Sequence, residues 1–490
     1  MWYFAREASL SSLGGVSFTH VLLAEFSLWS ECKVYLSCKH DLEKCGVTAM
    51  NIMLNYGRSG LELPLPSGVT ANVIRKPAMP VLSDPKTAVL DALANPVAGE
   101  NVDTELQNCE GLGQFAWVND CQSVCIAICD ITRPVPNHLF LRPMIETLVT
   151  KGVSLEKITI LIATGLHRPN EGNELRELVG DPWVLENIRI KNHDARNDSE
   201  HVLLGKTRER GTIVRLNRAF VEADLKIATG LVEPHFMAGY SGGRKVIAPG
   251  LAHAETITTF HSSRFMADPA AVSCNLKNNP LHDEQLEILR LIGGAFALNT
   301  VIDEDRSLSF VNFGEIVQSH ANAVQYVRQY CEVPVLRRYR TVVTTASGYP
   351  LDKTYYQTIK GMVGAMNILE PGGDLIIASE CDEGFGSNEF RDSQRRLMKM
   401  GPDAFLQSLL RKSHADIDEW QTQMQLKPMS VGTIHLYCPG MSEEDWELTG
   451  VERLDSLEMG IAESVKRQGD SEIAVIPEGP YVAPMFELRT

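Results

Sequence analysis

A chain of 490 residues is too long for one ordinary core, so at least two domains are expected. Hydrophobic residues at 44% and charged residues at 22% are the proportions of a soluble globular protein. A formal net charge of −16 excludes a general affinity for nucleic acid or anionic membrane, although a local positive pocket for a small anion remains open.

Residues 1–49 differ from the rest. Their apolar patches are broken by Glu25 and Glu31, so no run reaches the ~18 apolar residues of a membrane helix. A signal peptide's charged, apolar and small-residue zones are also missing. The expectation is an unstructured extension or an upstream start codon, with translation from Met50 or Met53.

From Val124 the pattern alternates short apolar runs with amphipathic stretches, which predicts an α/β fold with mostly parallel sheets. The run 123–129 reads as a strand, 138–152 as a helix and 158–164 as a second strand. A short helix near 174–179 follows, then a strand at 223–230, a helix at 253–265 and a hairpin over 297–314. A long helix then runs to about Tyr330. A second domain starts near Arg340, with a strand at 340–347, a helix at 354–369 and a strand at 372–379. Polar helical segments occupy 388–424, and the last strands fall at 431–437 and 471–479. The domains are placed at 50–335 and 336–490, with the last strand and tail free to pack back on the first. Eleven cysteines are scattered without a CxxC pair. Cys121, Cys125 and Cys129 tempt a metal reading but lie in a run that reads as a buried strand. A reducing cytoplasm fits the whole set.

In open α/β sheets ligands sit beyond the carboxyl ends of the strands. Unusual polar residues recur at that position: Asp130 and Arg133 after one strand, and His167 and Arg168 after the next. The third runs into EPHF and then GYSGGRK, with His235, Gly242, Gly243 and Lys245. The strand 340–347 leads into a helix carrying Tyr356, Gln357 and Lys360. Alone, Asp130 reads as a turn residue, Arg133 as a surface ion-pair partner and His261 as a structural histidine. GYSGGRK resembles an anion-binding turn but is neither GxxxxGK[ST] nor GxGxxG. Together the residues are hard to explain as packing. Imidazoles suit reversible proton transfer, arginine suits a carboxylate fork, and a further histidine offers a metal ligand. Residue chemistry thus reaches an acid–base enzyme acting on a carboxylate, with a metal or phosphorylated cofactor still open.

The stretches DITRPVP (130–136), ATGLHRP (163–169), EPHFMAGYSGGRKVIAPG (233–250) and YQTIK (356–360), with His261, resemble the nickel-dependent lactate racemase family. The likeness runs from about Ile52 to the C-terminus and implies an active site between two α/β domains. It also implies a nickel-pincer nucleotide attached covalently at Lys245, with His261 as nickel ligand. By the same resemblance His167 and His235 are the acid–base pair, and Arg133 and Lys360 hold the substrate carboxylate. Tyr356 and Gln357 line the substrate site, while Asp130, Gly242 and Gly243 support the cofactor. The implied reaction is racemisation or epimerisation of a 2-hydroxyacid by reversible hydride transfer from C2 to the cofactor. A racemase needs a base for each hand, which accounts for two histidines. Cofactor-synthesis enzymes are the implied partners. One alternative is an epimerase of a sugar acid or hydroxy-dicarboxylate using the same cofactor. Another is a non-catalytic cofactor- or nickel-binding protein, which would have no use for His167 or Arg133. The missing GxGxxG counts against a nicotinamide dehydrogenase.

Overall fold

The computed structural model describes residues 52–99 and 121–486; the N-terminal extension expected at 1–49 lies outside them. The first sheet contains β1 (Val124–Cys129), β2 (Ile158–Ala163), β3 (Arg189–Asn192), β4 (Leu225–Leu231), β5 (Phe296–Ile302) and β6 (Leu308–Glu315). Their spatial order is β6-β5-β4-β1-β2-β3. Strands β1 to β5 run parallel, and β6 turns back antiparallel on β5 as the predicted hairpin. The chain lays β2 and β3 on one side of β1, then crosses to place β4 and β5 on the other. The crevice between the ends of β1 and β4 is therefore a topological switch point, where α/β sheets bind ligands.

Alternation along β1 explains what covers the sheet. Val124, Ile126 and Ile128 point into one core with Phe140, Leu141, Met144 and Leu148 of the helix α1 (Asn137–Thr150). Cys125 and Ala127 point the other way, into a core shared with the second lobe. Small residues on that face allow the close approach of the elements forming the site.

The second sheet contains β7 (Tyr339–Thr345), β8 (Leu369–Ala378), β9 (Thr433–Tyr437), β10 (Glu452–Leu454) and β11 (Glu472–Ile476), in the order β10-β9-β8-β7-β11. All are parallel, and the strand Thr70–Val73 pairs with β11 at the edge. That strand comes from the segment expected in the first domain. The last strand, Ala483–Phe486, pairs with Glu332–Val335 at the foot of the first lobe. Helices α2 (Tyr355–Ala365) and α3 (Glu419–Val431) bring the second lobe to the site.

Several elements differ from the sequence expectation. β3 and the hairpin of His201–Lys206 with Ile213–Asn217 are not legible in the sequence because β3 is short and mostly polar, and the adjacent apolar residues Val202, Leu203 and Leu204, and Ile213 and Val214, break strict period-two alternation. The helix expected over 253–265 is interrupted: Ala254–Phe260 ends at His261, and Ser263–Met266 starts anew. Among the described residues no helix is long and apolar enough to cross a membrane.

Candidate active site

A cavity opens beyond the carboxyl ends of β1, β2 and β4 and is closed from the second lobe by α2 and the start of α3. Asp130, immediately after β1, is buried. Its Oδ2 lies 2.6 Å from His167 Nδ1, and its Oδ1 accepts from Thr132 Oγ1 at 2.7 Å. A carboxylate at Nδ1 fixes the ring proton there and leaves Nε2 of His167 as a free acceptor. Burial opposes the charge on Asp130, but the contacts with His167 and Thr132 outweigh it and hold the carboxyl below its ordinary value.

Arg133 sits one turn beyond Asp130, and its Nη1 donates to Glu233 Oε1 at 2.6 Å. Glu233 lies just past β4, so the pair spans the switch point between β1 and β4. Burial pushes the Glu233 carboxyl up against the opposing pull of Arg133, Lys360 and Lys245. Lys360 on α2 is held well below the ordinary lysine value by burial and then by Arg133 and Lys245. Its Nζ stands 6.0 Å over the Phe236 ring.

The EPHF and GYSGGRK segments fold into a compact turn. Pro234–His235 pairs antiparallel with Gly239–Tyr240, and the buried His235 accepts at Nδ1 from the backbone N–H of Ala238 at 3.1 Å and of Met237 at 3.4 Å. The ring proton of a neutral His235 therefore sits on Nε2. Burial and the nearby cations Lys245, Arg133 and Lys360 hold His235 well below the ordinary histidine value. Gly242 and Gly243 adopt φ of +72° and +48°. A Cβ on Gly242 would come within 2.8 Å of the Val232 side chain, and one on Gly243 within 2.8 Å of His320. Both positions thus require glycine for backbone and packing reasons, and Gly243 faces His320 while Gly242 borders the cavity. Arg244 is buried and anchors the turn: Nε donates to His282 Nδ1 at 2.9 Å and Nη2 to the Ala238 carbonyl at 3.0 Å. Next to it Lys245 enters the cavity, pushed down to about 7 by burial and then by Arg133.

His261 closes the opposite wall. Its Nδ1 donates to the Ile257 carbonyl at 2.9 Å, which leaves Nε2 with its lone pair, and burial pushes the ring down to about 3. A neutral imidazole with an unprotonated nitrogen is the form that ligates a metal. Trp420 packs on it with ring centroids 4.9 Å apart and donates to Tyr356 Oη at 3.3 Å. Gln421 donates to the Tyr356 carbonyl at 2.6 Å, while the buried Oε1 of Gln357 has no hydrogen-bond partner. An orphaned acceptor beside a cavity suits a ligand hydroxyl.

The structure brings Asp130, Arg133, His167, His235, Gly242, Lys245, His261, Tyr356, Gln357 and Lys360 to one cavity; Gly243 stands off it, and Arg168 turns outward to pair with Glu174. Sequence reasoning missed Glu233 as a partner of Arg133, and also Asp418 and Trp420. Asp418 does carry one local sign, since it adopts φ +62° at the start of α3. Cys125 and Cys129 lie within β1, and Cys125, Cys129, Cys274, Cys331, Cys381 and Cys438 are free thiols.

Residues 56–273 match the family model of the lactate racemase N-terminal domain, and residues 337–483 match that of the C-terminal domain. A lactate racemase of Thermoanaerobacterium thermosaccharolyticum is 31% identical over 447 residues, 88% of this chain and 98% of the relative. A lactate racemase of Lactiplantibacillus plantarum is 34% identical over 268 residues, 55% of this chain and 62% of the relative. The structure of the T. thermosaccharolyticum lactate racemase apoprotein superposes with a TM-score of 0.77 at 28% identity, covering 89% of this chain and all of the other. A Thermotoga maritima protein shares the fold with a TM-score of 0.58 at 17% identity, covering 82% and 98% of the two chains.

Proposed function

The chain belongs to the lactate racemase family, and from that premise we propose that it is a 2-hydroxyacid racemase using a nickel-pincer nucleotide held at Lys245 and His261. The observation that carries this reading is the convergence of Lys245, His261, His167 and His235 on one cavity. The two anchors fit the group chemically. Lys245 has an amine neutral enough near pH 7 to form an amide-type bond, and His261 offers Nε2 as a donor that Ni(II) accepts. When bound, the cofactor supplies a reversible acceptor for the hydride at the substrate's C2.

The protein's own residues bind, orient and move protons. Arg133 and Lys360 take the substrate carboxylate, fixing C2 relative to the two histidines. His167, with its proton held at Nδ1 by Asp130, receives the hydroxyl proton at Nε2. His235 donates a hydrogen bond from Nε2–H to the substrate oxygen from the other loop, and it serves as the second base once its ring proton is carried at Nδ1 and Nε2 is free to accept. Gln357 Oε1 is left as an unpaired acceptor for a donor on the bound ligand other than the 2-hydroxyl that His167 deprotonates, and Tyr356 and Trp420 seal the wall behind. Loading would depend on enzymes that build the nucleotide, and the free buried thiols of Cys125, Cys274, Cys331, Cys381 and Cys438 suit a reducing cytoplasm. The test is co-expression with cofactor-synthesis enzymes, then intact mass, nickel content and racemisation of D- and L-lactate. An adduct on Lys245, bound nickel and racemisation together support the reading; a protein carrying neither adduct nor nickel under those conditions refutes it.

A further inference from the structure

The neighbourhood of Arg133 bears on which hydroxyacids the proposed racemase takes, and the inference rests on that proposed function. Arg133, the group that would receive a substrate carboxylate, already has Nη1 on Glu233 at 2.6 Å. Glu233 is 7% exposed and lies with Lys360, His235 and Tyr481 around the small recess beside that pair. Of the three cationic side chains at the cavity, Lys245 would lose its charge on attachment of the cofactor. Arg133 and Lys360 remain, and Glu233 balances one of them. With Glu233 placed on Arg133, the charge of Lys360 is what is left for a ligand. Two carboxylates line the rest of the wall. Asp130 is committed to His167, and Asp418, which accepts from Ser387 Oγ, faces the same cavity.

We propose that Glu233 sets the substrate charge class, admitting 2-hydroxyacids with a single carboxylate and rejecting hydroxy-dicarboxylates. A monoanion on Arg133 and Lys360 completes the charge balance. A second carboxylate on so small a molecule finds no further cation at the cavity and meets the carboxylates of Asp130 and Asp418 on its wall, with Glu233 behind Arg133 in the adjoining recess. Like charges brought together in a partly dry site cost more than the added contacts return. Neutral polar substituents, such as the hydroxyls of a sugar acid, escape this penalty.

The test uses the full-length Lys245→Met protein, in which the lysine charge is absent as it would be after attachment, so binding is read without cofactor or turnover. Lactate and malate are titrated by ligand-observed NMR against this protein and against the same protein carrying Glu233→Gln or Glu233→Asp. With Glu233 present, lactate binds more tightly than malate. In Glu233→Gln the lactate-to-malate affinity ratio falls by at least ~10-fold, the order expected for removing one charge at contact range. Glu233→Asp, which keeps the charge, keeps the preference for lactate. Malate binding as tightly as lactate beside an intact Glu233 overturns the proposal, and that arm needs no variant at position 233 to fold. An unchanged ratio in a folded Glu233→Gln protein overturns it as well. Failure of the wild-type chain to carry an adduct or racemise lactate would strike the proposed function instead, and is read in a separate experiment.

Discussion

Asp130→Asn isolates the proton-handling role of His167 from binding. In the native site Asp130 Oδ2 is 2.6 Å from His167 Nδ1 while Oδ1 accepts from Thr132 Oγ1 at 2.7 Å. An asparagine keeps the shape but splits the two oxygens into an acceptor and a donor. If Thr132 continues to donate, it selects the amide oxygen and turns the NH2 toward His167. Nδ1 must then accept, its proton moves to Nε2, and the nitrogen facing the cavity can no longer take the substrate proton. Loss of a general base costs ~10²–10⁴ in rate, or ~3–5 kcal/mol of transition-state stabilisation. Arg133, Lys360 and Lys245 are untouched, so the loss should fall on kcat, with KM and the mass of the covalent adduct nearly unchanged. Single-turnover oxidation of each lactate enantiomer by loaded protein, followed beside steady-state racemisation, measures both parameters. An Asp130→Asn enzyme within ~3-fold of wild-type kcat, with its fold and adduct intact, would show that Asp130 does not set the His167 tautomer, and the role assigned to the pair would fall.

Lys245→Met should abolish the adduct and stabilise the unloaded protein by ~1–3 kcal/mol at neutral pH, because a lysine pushed down by burial prefers the unfolded chain when protonated. Its folded value of about 7 lies below the unfolded value, so the wild-type deficit is fullest below pH 7 and shrinks as the pH rises toward the unfolded lysine pKa of ~10.4. Thermal melts of both proteins across that range check the sign, and an invariant difference would refute it. His261→Ala should lower nickel content while leaving the Lys245 adduct in place; equal nickel by elemental analysis removes His261 from the ligand set. Gly243→Ala should destabilise the unloaded protein by ~1–3 kcal/mol through its positive φ and the collision with His320. A melt unchanged in apoprotein would return Gly243 to a cofactor role.

What could be read from sequence follows from which interactions are local. β1, β2 and β4 are buried on both faces, so VCIAIC, ITILIA and LKIATGL appear as apolar runs with nothing to confuse them. The site residues that directly follow those strands inherit that legibility, because position at a carboxyl end is itself the signal. Glu233 was visible as a residue but its partner was not: Arg133 lies 100 residues earlier, and only the return of the chain to the far side of β1 brings them together. Trp420 sits in a polar helical stretch whose sequence does not reveal which side meets His261. The glycines of GYSGGRK have a structural reason that the sequence alone does not display. They resemble an anion-binding turn, while the contacts that would bar a side chain there are made by Val232, just past β4, and by His320 from the remote helix Ile316–Cys331.

The two histidines are unequal in a way that the expectation of paired bases does not contain. His167 has a half-exposed side chain and offers an acceptor at Nε2 because a carboxylate holds its proton at Nδ1. His235 is buried and offers a donor at Nε2 because two backbone N–H groups occupy Nδ1. At rest the pair is thus one acceptor and one donor, the arrangement suited to a substrate whose hydroxyl faces His167. The mirror-image substrate asks His235 to accept at Nε2, which places a proton on Nδ1 against the N–H groups of Met237 and Ala238. Giving up those contacts costs ~1–3 kcal/mol in a buried setting. That cost cannot favour one enantiomer overall, since the equilibrium constant between mirror images is unity and kcat/KM must match in the two directions. It can only move kcat and KM in the same proportion for the enantiomer that needs the rarer tautomer. The unequal tautomers are therefore compatible with a true racemase, and they locate the asymmetry in saturation behaviour rather than in specificity.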